Sequence, residues 1–194
     1  MIKKRDFIEN KKQTLKKLQK EKEKKQVDDK IIPILDLINS SNNYYTSSSC
    51  YGRIVLLEIP KIGDKKNAKW LGKWHREIEL KEFLLSAEKA KKGFLWFLAQ
   101  SPIIHVFAND FNSADNLLKI AVSCGFKHSS FKSFKKNIVI EIISTERLDA
   151  PIGKDGKFFC NDNYIDLLVN IANNIIRKSS EKLKNFEIKL ETKL

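Results

Sequence analysis

Apolar residues recur at helical spacing in five segments of the chain and crowd into short extended runs between them. Lys3–Lys25 contains neither Gly nor Pro, and Phe7/Ile8, Leu15 and Leu18 share one narrow stripe among lysines, which predicts a helix docked along that stripe. Ile31–Ser41 reads as a short helix with Pro33 in its first turn, and Leu80–Lys92 is helical around Phe83, Leu84 and Ala87 until Gly93 stops it. Asn112/Ser113 caps a helix with Ala114, Leu117, Leu118, Ala121 and Val122 on one face and Gly125 just beyond. Asp162–Leu190 repeats Tyr164, Leu167, Leu168, Ile171 and Ile175 at helical intervals, and Leu183, Phe186 and Leu190 continue as a weaker stripe.

The strand signals lie between these helices. Tyr44-Tyr-Thr opens an extended stretch, and Arg53–Ile59 is an apolar run of strand length ended by Pro60. Phe94–Ala99 and Ile103–Ala108 flank a bend at Gln100-Ser-Pro102, Phe126–Phe131 and Asn137–Ile143 follow, and Arg147–Ile152 is extended before the Gly153-Lys-Asp-Gly156 turn. The pattern predicts an α+β fold: a single compact domain over residues 1–194, with a mixed β-sheet flanked by helices. Within it lie a basic N-terminal helix at about 3–25, a central body at about 30–160 and a C-terminal helical segment at about 162–190.

Charge adds a partner. The 194 residues hold 37 Lys+Arg against 24 Asp+Glu, a formal charge of +13. Residues 1–30 carry 12 basic against 6 acidic side chains, residues 174–194 carry 6 against 3, and the long middle carries 19 against 15. Most of the excess therefore sits at the two ends, which points to a polyanion gripped by terminal helices; a solvated face on packed helices is the other reading. No apolar stretch reaches the ~20 residues of a membrane span, and no secretory pattern opens the chain. Three widely spaced cysteines, Cys50, Cys124 and Cys160, indicate neither a disulfide framework nor a zinc ribbon, so the expected compartment is the cytoplasm.

The glycines exclude ordinary nucleotide folds: no Gly-x-Gly pair and no Gly-Lys-Ser/Thr loop occurs, so a Rossmann-like site is not expected. No metal-ligand spacing is present, and none is expected to bind. Three clusters could carry chemistry. The run Tyr44-Tyr-Thr-Ser-Ser-Ser-Cys-Tyr-Gly-Arg53 sets small hydroxyls, a thiol, a glycine and a guanidinium ahead of a buried strand, which suits a carboxylate or phosphate; it also suits a Ser-rich loop turning into an edge strand. Trp70-Leu-Gly-Lys-Trp74-His75 interleaves aromatics with cations, as a stacked unpaired base would need, or as a core tryptophan pair would show. His105 stands alone on an apolar strand, either a base or a satisfied core histidine.

Together these segments resemble the tRNA wybutosine-synthesising methyltransferase family, in particular its stand-alone archaeal members. The resemblance rests on Thr46-Ser-Ser-Ser-Cys-Tyr-Gly-Arg53, Trp70-Leu-Gly-Lys-Trp-His75, Pro102-Ile-Ile-His-Val106, Gly125-Phe-Lys127, Glu141–Pro151 and Ala172-Asn173, and it runs nearly end to end. Tyr51 stands where the family's motif has a serine, so no contact from that serine carries over.

The resemblance implies a fold unlike the Rossmann methyltransferases. It also implies transfer of a methyl group from S-adenosyl-L-methionine to N4 of an aminocarboxypropyl-demethylwyosine base at position 37, in the anticodon loop of tRNA(Phe). On this reading Ser48, Ser49, Cys50, Gly52 and Arg53 hold the cofactor or the substrate's carboxylate, and Trp70, Trp74, Arg147 and Asn173 bind substrate. His75 or His105 orients or deprotonates the acceptor nitrogen. The alternatives are a non-catalytic basic RNA-binding module and a hydrolase that uses Cys50 as nucleophile.

Overall fold

A computed structural model describes residues 4–64, 66–134 and 137–194, with side chains from residue 6 onward; the predicted helix start at Lys3 lies outside the described residues. The helices are α1 (Lys4–Glu23), α2 (Ile32–Ser40), α3 (Leu80–Ala87), α4 (Phe111–Ser123) and α5 (Asp162–Lys193). The strands are β1 (Tyr44–Cys50), β2 (Arg53–Ile59), β3 (Lys69–Trp74), β4 (Phe94–Gln100) and β5 (Ile103–Ala108), followed by β6 (Ser130–Ser133), β7 (Ile138–Ile143), β8 (Arg147–Lys154) and β9 (Lys157–Phe158). They group into two compact units. The first holds residues 1–51, 102–145 and 180–194, the second residues 52–101 and 146–179.

The first unit is built on a four-stranded sheet in the order β1-β5-β7-β6. Alternation decides its faces: Ile104, Val106 and Ala108 of β5 and Ile140 and Ile142 of β7 point into a core with Ile34 and Ile38 of α2, Leu117 and Ala121 of α4, and Phe186 and Leu190 of α5. On the opposite face Tyr45 stacks on Phe107 with ring centroids 4.6 Å apart, and Phe7 of α1 tilts onto Tyr45 at 5.1 Å. The expected stripe on α1 is thereby half met: Phe7 is buried and Leu18 packs against the core, while Ile8 is exposed.

The second unit is built on a five-stranded sheet in the order β3-β2-β4-β8-β9. Ile54 and Leu56, Phe97 and Ala99, and Ile152 face Phe83 of α3 and Leu168, Ala172 and Ile176 of α5. Phe83 meets Phe97 edge-on at 4.9 Å.

The α+β class and the absence of a doubly wound sheet follow the sequence expectation. The expected mixed sheet is instead two sheets in which every described pairing is antiparallel. The reason is that, among the described residues, no helix returns the chain to a parallel neighbour; after α3, for example, β4 enters antiparallel beside β2. β3 was not foreseen as a strand, because Lys, Trp and Gly alternate there without an apolar run. α3 stops at Ala87 rather than Lys92, because the backbone N–H groups of Lys91 and Lys92 are held by the buried Glu58 carboxylate.

Candidate active site

In the first unit the Ser-rich run is a strand, not a loop: it is β1, the sheet's edge. Its start is pinned by Asn39 of α2, whose Oδ1 accepts from Thr46 N at 2.8 Å and whose Nδ2 donates to Thr46 Oγ1 at 2.9 Å. Thr46 lies opposite Val106 and Ser49 opposite Ile104, so Ser47 and Ser48 together face the single residue His105. That extra residue is a β-bulge, which kinks the edge and re-aims one side chain.

Ser48 Oγ lies 2.7 Å from His105 Nδ1. Across the next ladder His105 is directly opposite Glu141, and Nε2 lies 3.0 Å from Glu141 Oε1. The other carboxylate oxygen accepts from Lys132 Nζ at 2.9 Å, from a second irregularity between Phe131 and Ser133 of β6. Burial pushes the Glu141 carboxyl up, but hydrogen bonds from Lys132 and His105 outweigh it and hold the group below the usual carboxylate range. Glu141 is therefore an anion at neutral pH. An anion accepts only, so His105 donates Nε2–H to it, and in the neutral imidazole Nδ1 is then the acceptor of the Ser48 hydroxyl proton.

In the second unit Arg53, Gln100 and Arg147 lie in register across β2, β4 and β8. Arg53 Nε donates to Gln100 Oε1 at 2.7 Å, its guanidinium lies 4.9 Å from the Trp70 ring, and Arg147 pairs with Asp149. These groups and Trp96 line a cavity of about 390 Å³. The indole N–H of Trp96 is buried and has no partner among the described residues. Chemically, two guanidiniums, a carboxylate and the half-exposed Trp70 ring could hold a ligand that joins a planar ring to an α-amino acid group, the guanidiniums facing its carboxylate and Asp149 its ammonium.

The remaining predicted residues have other local partners. His75 Nδ1 donates to the carbonyl of Gly52 at 2.9 Å, and Gly52 turns the chain with φ 100° between β1 and β2. Trp74 packs against the second core and lies across Gly72, where a Cβ would sit 2.0 Å from the ring. Asn173 clamps α5 to the segment before α3: its Oδ1 accepts from Ile78 N at 2.9 Å and its Nδ2 donates to Ile78 O at 2.8 Å. Ser49 and Cys50 lie in β1 opposite Ile104 and Ile103. Ser48 and His105 are thus brought together, as are Arg53, Trp70 and Arg147. Glu141, Lys132, Gln100 and Trp96 were not singled out, although a lone carboxylate inside the apolar run Ile138–Ile143 carried the same signal as His105.

The family described as Methyltransferase TYW3 matches residues 9–192. A Pyrococcus horikoshii protein named tRNA(Phe) 7-((3-amino-3-carboxypropyl)-4-demethylwyosine(37)-N(4))-methyltransferase 1 is 48% identical over 186 residues, 95% of each chain. A Methanocaldococcus jannaschii protein of the same name without the numeral is 39% identical over 187 residues, 95% of this chain and 97% of its own. Among solved structures, the PH1069 protein from Pyrococcus horikoshii superposes with a TM-score of 0.93 at 48% identity, covering 96% of this chain and 97% of that one. A hypothetical protein from Aeropyrum pernix reaches 0.74 at 28% identity, covering 86% and 99%. With a match that runs from the first helix to the last, the chain belongs to the TYW3 methyltransferase family.

Proposed function

We propose that this chain methylates N4 of the aminocarboxypropyl-demethylwyosine base at position 37 of tRNA(Phe), using S-adenosyl-L-methionine as donor. The observation that carries the reading is the end-to-end similarity to relatives named for that reaction. The cavity supports it from the side of chemistry, because donor and acceptor both end in an α-amino acid group and both carry a planar ring. Arg53, Arg147 and Asp149 would hold that end group, and Trp70 the ring. When bound, the donor supplies a methyl group on a cationic sulfonium, so the chain needs no covalent residue; it has to align, exclude water and accept the acceptor's proton.

The basic surface supplies the tRNA grip. The N-terminal charge-rich end belongs to the first unit, as do residues 180–194 of the C-terminal one, and that unit holds 21 Lys+Arg against 13 Asp+Glu. Lys12, Lys16, Lys17 and Lys20 of α1 are exposed, whereas Phe7 is buried, so the helix can offer its lysines to phosphates without leaving the sheet. Replacing these four lysines with glutamine should weaken tRNA binding and flatten its salt dependence, the slope of log K against log salt falling by up to ~3 at about 0.7 per phosphate contact. Titrations at several salt concentrations check this, and an unchanged slope returns those lysines to a merely solvated face.

The function itself is tested by incubating the chain with methyl-labelled S-adenosyl-L-methionine and precursor tRNA(Phe). Label in the nucleoside at position 37 is the expected result. Label absent, with tRNA still bound, would favour the RNA-binding module.

A further inference from the structure

The geometry points to Ser48 as the group that takes the proton from the acceptor nitrogen, with His105, Glu141 and Lys132 aligned behind it as a relay. The inference rests on the proposed methyl transfer and assigns roles within it that the sequence left between two histidines. His105 cannot approach a substrate with either ring nitrogen: Nδ1 is engaged by Ser48 Oγ at 2.7 Å and Nε2 by Glu141 at 3.0 Å. Its side chain is 25% exposed and that of Glu141 is 14% exposed, whereas Ser48 is exposed at the edge of the sheet. The outward end of the line is therefore a hydroxyl oxygen. The bulge that places Ser47 and Ser48 opposite one residue is what turns that oxygen onto the imidazole.

The balance of the step is as follows. As the methyl carbon's bond to sulfur breaks and its bond to the acceptor nitrogen forms, the N–H proton passes to Ser48 Oγ. The hydroxyl's own proton passes to His105 Nδ1, and the imidazolium so formed is stabilised by Glu141. Lys132 keeps the carboxylate ionised and fixed through its second oxygen, so that Glu141 faces the ring with one lone-pair set already assigned. The charged groups facing His105 are Glu141 from β7 and, through it, Lys132 from β6. Ser48 is then the catalytic residue, and His105, Glu141 and Lys132 are positioning residues.

Two measurements test this. Ser48→Ala and His105→Gln should each lower kcat about 100-fold or more while leaving the dissociation constants for tRNA and donor within about two-fold. In Ser48→Ala the logarithm of kcat should climb by about one per pH unit, because hydroxide must remove the proton that the relay no longer takes; a purely structural serine would not impose that slope. The second measurement uses the protein alone. Nitrogen chemical shifts of the labelled His105 imidazole should report a proton on Nε2 and a bare Nδ1, and Glu141→Gln should abolish that preference. A ring protonated on Nδ1 in the wild-type chain, or a Ser48→Ala variant that methylates at the wild-type rate, overturns the relay. A wild-type chain that moves no methyl group to tRNA overturns the functional reading instead, so the two failures are distinguishable.

Discussion

Gly93→Ala should unfold the second unit at temperatures where the wild-type chain is stable, with a loss of about 2–6 kcal/mol. Gly93 adopts φ +103°, a conformation that side chains rarely take, and an added Cβ would sit 2.3 Å from the carbonyl oxygen of Ile59 at the end of β2. The neighbour is backbone, so it cannot rotate aside. Nor can the glycine itself move: its N–H donates to Asp155 Oδ1 at 2.8 Å, and its carbonyl accepts from Asp155 N at 2.8 Å. β4 begins at the next residue and is the central strand of the five, bonded to β2 on one side and β8 on the other, so strain there reaches both ladders. Chemical denaturation followed by circular dichroism measures the loss. A midpoint within error of wild type would mean that the loop relaxes around the new methyl, contrary to its double tether.

The same loop supplies the second large effect. Glu58 is 3% exposed on β2, and its carboxylate accepts from the backbone N–H groups of Lys91 and of Lys92, the latter at 2.9 Å, and from Lys69 Nζ at 3.2 Å. Burial raises its pKa, but the two backbone donors and Lys69 outweigh burial and leave it below the ordinary value of 4.5. The linkage sign follows. A carboxyl that ionises more easily when folded stabilises the fold above its unfolded value, and that contribution fades as pH falls through the lower, folded value.

Glu58→Gln should therefore cost about 1.5–3 kcal/mol at neutral pH, the range for hydrogen bonds to a charged group. Most of that value comes from the backbone donors, since Lys69 is 65% exposed and its ion pair is screened. The gap between variant and wild type should narrow as the pH drops below about 4.5. Denaturation midpoints of both proteins at several pH values check the sign, and a gap that widens in acid would show that the carboxylate is not what holds the loop.

These two residues also show how far sequence reading reaches. Gly93 was legible as a stop signal, because glycine after an apolar helical run has few other uses. Its partner Asp155 lies 62 positions away, and nothing local announces the pair. Glu58 reads as one acidic residue at the end of an apolar strand; only the return of the chain after α3 gives it two backbone donors. The candidate site divides in the same way. Ser48, His105, Arg53 and Trp70 stood out as polar or aromatic residues in apolar or Ser-rich surroundings, and Arg147 came only from the family resemblance. That Ser48 meets His105, and that Arg53 and Arg147 share a row with Gln100, depends on strand register.

The sequence by itself determined the α+β class, most of the helices and strands, the basic ends and, through motifs in a fixed order, the family. It could do so because periodicity, capping and turn residues act over a few positions, where the chain has no choice of partners. The tertiary structure alone decided that the strands form two antiparallel sheets, that β3 exists, that the Ser-rich run is a bulged edge strand, and that Glu141 and Lys132 stand behind His105. Those facts depend on which strand lies beside which. Pairing between residues 36 or 57 positions apart is fixed by the packing of whole faces, which no local pattern encodes.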